Sequence, residues 1–229
     1  MGAVSTHGEV SIPAAGGRLG GELHLPEGVS AIVLFAHGSG SSRFSPRNRF
    51  VAGELHKLGL GTLLMDLLRE DEAESRRNVF DIELLASRLL EARRWLDGVA
   101  APRALRVGYF GASTGAAAAL VAAATEPENA HAVVSRGGRP DLAAPWLSRV
   151  QAPTLLIVGE RDSHVLEWNE EAYRSLRAEK KLVVVPGATH LFEEPGTLEE
   201  AAAHAGRWFE RHLLDRGPGR AQSRKTHSE

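Results

Sequence analysis

Three residues of the sequence have the types and positions needed for a serine nucleophile, its base and its acid. Ser113 lies in GYFGASTGAAAALVAAA, with a glycine two residues before it and another two residues after it. Asp162 comes soon after the apolar run PTLLIVG, and His190 comes soon after KLVVVPG. A serine hydroxyl is a poor nucleophile alone, so it needs a base within hydrogen-bond reach and an acid that orients the base. We therefore predict Ser113 as nucleophile, His190 as general base and acid, and Asp162 as the orienting carboxylate.

Each of these assignments has an alternative within the sequence. The glycines around Ser113 would also serve a plain bend between a strand and a helix. His164 lies two residues from Asp162 and competes with His190, while Glu160 competes with Asp162 as the acid. The order Ser, Asp, His along the chain, with His190 after the last predicted strand, favours the first assignment.

The elements that must position these residues follow from the alternation of short apolar runs with longer helical patterns. This alternation predicts an α/β fold with a mostly parallel sheet and helices on both faces. Gly16 and Gly17 predict the turn of an antiparallel N-terminal hairpin. A helix is expected from Arg47 to Leu58, and a final helix is expected to open with a capping box formed by Thr197 and Glu200. The predicted strands after the hairpin are AIVLFA, GTLLMD, ALRVGYF, AVVS, PTLLIVG and KLVVVPG.

The HGSG run that follows AIVLFA is the second motif with a chemical interpretation. Reactive groups collect at the carboxyl ends of the strands in an open parallel sheet, so this loop should meet Ser113. The backbone N–H groups of Ser39 and Thr114 are predicted to bind the oxyanion that develops during acyl transfer. His37 is predicted to be a structural residue under the loop rather than a proton carrier.

Taken together, the motifs HGSGSSR, GASTG, VGERD and PGATHLFEEPG resemble those of the α/β-hydrolase superfamily, close to its dienelactone hydrolase-like branch. The resemblance runs from Leu23 to Leu214. It implies an α/β-hydrolase fold without a cap domain and a cofactor-free enzyme that cleaves an ester or lactone through an acyl-enzyme. The named enzymes of the branch use a cysteine nucleophile, whereas this chain has Ser113, which favours a serine esterase.

Arginines in two loops at the predicted site suggest a substrate with an anionic group. One loop holds Arg43, Arg47 and Arg49, and the other holds Arg136 and Arg139. Guanidinium groups suit carboxylate or phosphate, and the candidate substrate contacts are Gly40, Arg43 and Arg136. The alternative is that these arginines only pair with nearby carboxylates, namely those of Glu193, Glu194, Asp141 and the acidic loop at 69–74.

Composition narrows the remaining possibilities. The chain has 229 residues, no cysteine and a formal net charge of -2, which predicts one domain over residues 1–216, a flexible tail over 217–229 and no binding of nucleic acid. Metal binding has no supporting ligand spacing, and no signal or membrane segment is apparent, so a cytoplasmic monomer or homodimer is expected. Two alternatives to ester hydrolysis stay open: an acyltransferase or thioesterase with the same triad, and a catalytically silent binding protein.

Overall fold

The computed structural model describes residues 6–100 and 104–214, and the structural statements below refer to these ranges. The predicted flexible tail, 217–229, lies outside the described residues. So do the first five and last two residues of the predicted domain, 1–5 and 215–216, together with 101–103.

Eight strands form a single sheet with the order β1-β2-β4-β3-β5-β6-β7-β8. The strands are β1 Thr6–Ala14, β2 Gly17–Leu25, β3 Ala31–Ala36, β4 Gly61–Met65, β5 Arg106–Ala112, β6 Ala132–Arg136, β7 Thr154–Gly159 and β8 Lys180–Val185. The hairpin β1–β2 is antiparallel, and β2 pairs antiparallel with β4. The pairs from β4 through β8 are parallel, which confirms the predicted mostly parallel sheet with an antiparallel N-terminal hairpin.

Helices cover both faces of this sheet. They are α1 Pro46–Lys57, α2 Glu70–Ala73, α3 Arg76–Val79, α4 Ile82–Ala100, α5 Thr114–Thr125, α6 Ser163–Ser175 and α7 Thr197–Leu213, with 3-10 segments at Pro127–Asn129 and Pro140–Arg149. None of the helices within the described ranges is both long and apolar enough to cross a membrane. The connection from β6 to β7 is described throughout and holds only the segment Pro140–Arg149, so no cap domain is inserted there.

The central strand β3 shows how the sequence builds two cores. Successive side chains of a strand point to opposite faces of a sheet. Ile32 and Leu34 belong to the core that includes α4 and α5. Val33 and Phe35 belong to the core that includes α1 and α7. A strand that is apolar at every position is therefore required here, because both of its faces are buried.

Helix α5 is buried along its length, and its composition explains how. Ten of its twelve residues are alanine, glycine, leucine or valine, and every residue from Thr114 to Ala124 is buried. Small side chains let the helix lie close to β5 and still contact α4 and the segment Pro140–Arg149. Its amino end is thereby fixed at the carboxyl edge of the sheet.

Two local predictions differ from the structure. The capping box at Thr197 is wrong, because Gly196 is the N-cap of α7 and the Thr197 hydroxyl instead donates a 2.8 Å hydrogen bond to the carbonyl of Glu194. The stretch after β4, predicted as a loop, contains the short helices α2 and α3. In both places the chain turns within a few residues, and such tight turns depend on backbone contacts that side-chain patterns do not report.

Candidate active site

Ser113 lies on a strained turn between β5 and α5. Its φ is 51° and its ψ is -122°, a backbone conformation that residues other than glycine rarely adopt. Such a conformation costs roughly 1–3 kcal/mol and persists only where the surrounding structure imposes it. The turn is therefore more than a plain bend, because an unconstrained serine would relax from it.

Hydrogen bonds with the end of β6 and with the loop that follows it hold this turn. The Ser113 N–H donates to the carbonyl of Arg136 over 3.3 Å, and the Arg139 N–H donates to the carbonyl of Ser113 over 3.1 Å. The flanking glycines are needed for space: a Cβ on Gly111 would lie 2.3 Å from Ala116 Cα. The backbone groups of Arg136 and Arg139 thus hold the backbone of Ser113 in place.

His190 and Asp162 form a hydrogen-bonded pair at the same edge of the sheet. His190 Nδ1 lies 2.6 Å from Asp162 Oδ2, and the Asp162 side chain is 16% exposed. An ionised carboxylate only accepts hydrogen bonds, so Nδ1 carries the proton and Nε2 is left as the acceptor. This is the tautomer that a histidine needs in order to take a proton from a serine.

The two rival residues are engaged elsewhere. Glu160 Oε2 accepts a 2.8 Å hydrogen bond from the Gly187 N–H, in the turn after β8. His164 is exposed in the first turn of α6, where its ring stacks with that of Trp168 at 6.5 Å between centroids. Neither contact involves Ser113.

The loop after β3 lies directly against the serine turn. The Ser39 N–H donates a 2.9 Å hydrogen bond to the Thr114 hydroxyl. Beneath the loop, His37 Nδ1 bonds to the Gly38 carbonyl over 2.9 Å, and Nε2 accepts from the Leu67 N–H over 3.2 Å. Burial lowers the pKa of His37, so this ring is neutral and ties the ends of β3 and β4 together.

A cavity of about 290 Å³ brings most of these groups together. Ser113 and His190 both line it, and no carboxylate is among the described residues around it. Its walls come from the loop after β3, the start of α1, the ends of β5 and β6, and the segment after β8. The lining residues are Gly38, Ser39, Ser41, Ser45, Arg47, Asn48, Ala112, Ser113, Arg136, His190 and Leu191.

Arg136 is the most unusual charge in this cavity. It is 6% exposed, and its Nε has no hydrogen-bond partner within the described ranges. Its guanidinium carbon lies 5.5 Å from the centre of the Phe192 ring. Burial, with a smaller contribution from nearby Arg47, lowers the pKa of Arg136 to about 10, so it stays protonated at neutral pH. A buried cation without a counter-ion is costly, and a bound anion would relieve that cost.

Arg43 and Arg139, two other arginines of the predicted site, are both paired with aspartates. Arg43 pairs with Asp66, and both line a second cavity of about 360 Å³ that also contains Gly40. Arg139 binds Asp141 through two hydrogen bonds, of 2.9 and 2.7 Å, as the pairing alternative supposes. The predicted contacts Gly40 and Arg43 thus line a different cavity from Arg136.

Arg47 and Arg49, the other arginines of the loop after β3, each have a carboxylate partner. Arg47 lines the Ser113 cavity but also lies 3.3 Å from Glu193, whose side chain is 64% exposed. Arg49 pairs with Glu22 at 2.6 Å, away from the serine. Within the two described stretches of chain, Arg136 is therefore the cation of these loops that lines the Ser113 cavity without a carboxylate partner.

Sequence reasoning missed Asn48 and Leu191, which also line the Ser113 cavity. Asn48 is 2% exposed on α1, and nothing in its local sequence separates it from a solvent-facing polar residue. Leu191 is 40% exposed next to His190, and an apolar residue in that turn was the available signal. In the parts of the chain that the structure covers, no three His, Asp or Glu side chains are arranged to hold a metal ion.

A family model for the dienelactone hydrolase family matches residues 61–213, which carry Ser113, Asp162 and His190. The chain belongs to the dienelactone hydrolase family. A crystal structure of a dienelactone hydrolase from Anabaena variabilis ATCC 29413 is 53% identical, covers 92% of this chain and 99% of that chain, and has a TM-score of 0.86.

Two other known proteins resemble this chain, one in fold and one in sequence. Est1E from Butyrivibrio proteoclasticus shares the fold at 16% identity, with a TM-score of 0.77 over 90% of this chain and 99% of that chain. A protein of Mycobacterium tuberculosis (strain ATCC 25618 / H37Rv) named "Putative phosphoribosyl transferase Rv0571c" is 58% identical over 210 residues. That match covers 92% of this chain but only 47% of the relative, so the chain spans about half the length of that protein.

Proposed function

We propose that this protein is a serine hydrolase that cleaves a carboxylic ester or lactone through an acyl-enzyme intermediate. The observation that carries the proposal is the strained Ser113, which lines the same cavity as His190 while His190 is bonded to Asp162. Membership of the dienelactone hydrolase family agrees with this chemistry.

The mechanism uses each of the three side chains in turn. His190 Nε2 takes the proton of the Ser113 hydroxyl as Oγ attacks the acyl carbon. The protonated imidazole then gives this proton to the leaving alcohol oxygen, and Asp162 stabilises the positive ring in between. A water molecule, activated by the same histidine, attacks the acyl-enzyme and releases the carboxylic acid.

The oxyanion of the tetrahedral intermediate needs donors in this cavity. The backbone amides of Ser39 and Thr114 are the proposed pair, and one such donor contributes about 3–4 kcal/mol to known transition states. The Ser39 N–H donates to the Thr114 hydroxyl, which holds it beside Thr114, so the proposed oxyanion would share this N–H with the hydroxyl.

An anionic group on the substrate is the second part of the proposal. Its support is Arg136, which is buried and charged beside the serine and has no carboxylate partner among the residues that the structure describes. The sequence suggested Arg43 for this role as well, but the pairing of Arg43 with Asp66 supports Arg136 alone.

The activity in the name of a longer relative is not assigned to this chain. Phosphoribosyl transfer appears in the name of a protein of which this chain spans 47%. We therefore assign to this chain only the acyl chemistry that its own residues support. Acyl transfer to an alcohol or a thiol would pass through the same acyl-enzyme, so product analysis must separate it from hydrolysis.

Labelling with a fluorophosphonate probe tests the proposal directly. We expect the wild-type protein to be labelled and the Ser113→Ala variant not to be, because the probe requires an activated serine. Labelling that is equal in the two proteins, or absent from both, would contradict the proposal and favour the silent binding protein. With 4-nitrophenyl acetate, release of free acetate in buffer without added acceptor would distinguish hydrolysis from transfer.

A further inference from the structure

Two cavities of different chemical character lie on either side of the loop that follows β3. Gly38, Ser39 and Ser41 line both of them. The cavity of about 290 Å³ holds the serine, the histidine and two arginines, whereas the cavity of about 360 Å³ has one apolar wall and presents mostly apolar surface, although serines and charged residues also line it. The apolar wall of this second cavity consists of Leu67, Leu68, Ala73, Val79 and Leu85, with Phe44 among its other lining residues. An ester has two halves, so the arrangement raises the question of which half each cavity receives.

The position of His190 indicates which cavity receives the alcohol half of the ester. The histidine must give its proton to the leaving oxygen, so the alcohol lies on the side of the serine where the imidazole is. That side is the cavity that also contains Arg47 and Arg136. The uncompensated positive charge therefore faces the leaving alcohol.

The amide of Thr114 indicates the direction of the acyl half. The acyl oxygen must lie near the backbone N–H groups of Ser39 and Thr114, and both residues line the second cavity, which does not include His190. An acyl chain that continues past these amides enters the apolar cavity.

Charge in the second cavity also argues against an anionic acyl group. Arg43 is neutralised there by its ion pair with Asp66, and Glu70 adds a further negative charge to the lining. A carboxylate on the acyl chain would be repelled, while an alkyl or aryl group would be removed from water on binding.

We propose that the substrate is an ester of an apolar carboxylic acid with an alcohol that carries an oxyanion group, a phosphate or a carboxylate. This inference rests on the proposed function, since it assigns the two halves of the substrate around Ser113. Attack by Ser113 forms the bond to the acyl carbon and breaks the bond to the alcohol oxygen, which receives its proton from His190. Water then cleaves the acyl-enzyme, so the products are the apolar acid and the anionic alcohol.

The acyl half is tested with 4-nitrophenyl acetate and 4-nitrophenyl octanoate, which differ only in chain length. We expect kcat/KM to be at least about 10-fold higher for the octanoate, because each buried methylene favours binding. Ala73→Trp and Val79→Trp should reduce this ratio by at least about 10-fold, since the indole fills the cavity. Ala203→Trp is the matched control, because Ala203 is an exposed helical alanine on α7 that does not line the cavity.

The alcohol half is tested with four esters that place the charge differently. These are 4-nitrophenyl butyrate, 4-nitrophenyl hemiglutarate with a carboxylate on the acyl side, and two butyrates of anionic alcohols, 3-carboxy-4-nitrophenol and 4-hydroxyphenyl phosphate. We expect the ester of 3-carboxy-4-nitrophenol to be favoured over 4-nitrophenyl butyrate, whose leaving group is of similar acidity, and the hemiglutarate to be the poorest of the three nitrophenyl esters. The ester whose kcat/KM depends more strongly on Arg136 identifies which oxyanion the site prefers.

The ratio of kcat/KM between anionic-alcohol and neutral esters isolates the role of Arg136. Arg136→Met should lower this ratio by about 10- to 100-fold, the loss typical of a charge-assisted contact. Arg94→Met removes the same charge from α4, where Arg94 is 57% exposed and pairs with Glu126, and should leave the ratio unchanged.

The possible results separate this inference from the proposed function. Preference for the hemiglutarate, an unchanged ratio in Arg136→Met, or a chain-length ratio that both tryptophan variants leave intact would overturn the inference. If hydrolysis of the acetate depends on Ser113 in those cases, the proposed function stands. If Ser113→Ala hydrolyses all these esters as fast as the wild type, the proposed function fails and the inference fails with it.

Discussion

The backbone N–H of Ser39 donates a 2.9 Å hydrogen bond to the hydroxyl of Thr114, which joins the loop after β3 to the first turn of α5. Thr114 is 2% exposed, so the contact is shielded from water. The two residues whose amides are the proposed oxyanion donors are thus tied to each other by a side chain. The Thr114 hydroxyl is a positioning group in this arrangement, because it acts on the substrate only through the Ser39 amide.

The first prediction concerns this hydroxyl. Thr114→Val removes the acceptor with little change in shape, so the loop is free to move and kcat for a neutral ester should fall by about 10- to 100-fold. KM should change little, since the donor acts mainly in the transition state. Thr114→Ser keeps the acceptor and should retain a kcat within about threefold of the wild type. Equal kcat values for the valine variant and the wild type would show that the contact does not position the donor.

The second prediction distinguishes Asp162 from its rival Glu160. Asp162→Asn replaces the acceptor for His190 Nδ1 by an amide, which favours the wrong tautomer and should lower kcat by roughly 10³- to 10⁴-fold. Glu160→Gln should leave kcat within about threefold of the wild type, because Glu160 accepts a hydrogen bond from the Gly187 amide and does not contact the imidazole. Steady-state rates with 4-nitrophenyl acetate measure both, and a greater loss in the Glu160 variant would reverse the assignment.

The places of the catalytic candidates could be predicted from the sequence because the fold makes them local. Ser113, Asp162 and His190 each follow a strand by a few residues, and β5, β7 and β8 are parallel, so their carboxyl ends share one edge of the sheet. The apolar runs that form strands, and the short segments that follow them, can be recognised from residues that are neighbours in the sequence. A correct reading of the strands therefore places the three side chains on the same edge before any coordinates are known.

The partners of the arginines could not be predicted in the same way. Arg43 meets Asp66, which is 23 residues away, whereas Arg136 meets no carboxylate of the described residues, although both loops looked equivalent in sequence. Which arginine is left unpaired depends on the side-chain packing of several loops, and this packing leaves no periodic pattern. The apolar cavity was missed for the same reason, since its walls come from the loop after β3, from α2 and α3, and from α4.

The third prediction tests how closely α5 packs against the end of β3. A Cβ on Gly115 would lie 2.2 Å from the carbonyl oxygen of Ala36, a backbone atom that cannot move aside cheaply. Gly115→Ala should therefore lower the free energy of unfolding by about 3 kcal/mol or more.

A matched control for this change is Gly98→Ala in α4. Among the described residues, no atom outside the neighbouring residues and the backbone of α4 itself lies within 4 Å of a Cβ built on Gly98, so the alanine should stabilise the helix by about 0.5–1 kcal/mol. Urea unfolding of the two variants measures both effects. If Gly115→Ala were as stable as the wild type, the close approach of α5 to the end of β3 would be contradicted.

The fourth prediction is a loss of stability in acid that originates far from the serine. His7, His24 and His56 form a cluster: His24 Nδ1 lies 3.2 Å from His7 Nδ1, and the rings of His24 and His56 are 3.8 Å apart between centroids. The charged groups that also face this cluster are Glu22 and Arg49, which pair with each other. Burial and the neighbouring histidines lower the pKa of His56 to about 4, and Glu22 opposes this only in part.

The sign of the effect follows from the two states of His56. In the unfolded chain an imidazole binds its proton below about pH 6.5, whereas folded His56 stays neutral until about pH 4. The unfolded state therefore binds more protons in this interval, so stability is complete above pH 6.5 and falls as the pH drops toward 4. Because the ring is half-buried and partly screened by solvent, we expect His56 to account for about 1 kcal/mol of this loss.

Comparison of the wild type with His56→Gln at pH 7.5 and pH 4.5 isolates this contribution. Glutamine has an amide within reach of Thr62, whose hydroxyl lies 2.7 Å from His56 Nε2, but it does not titrate. Urea midpoints should therefore fall less between the two pH values in His56→Gln than in the wild type. His164→Gln is the control, since His164 is exposed and outside the cluster, and it should follow the wild type. An equal drop in all three proteins would mean that acid sensitivity arises elsewhere, because only the cluster differs between His56→Gln and the control.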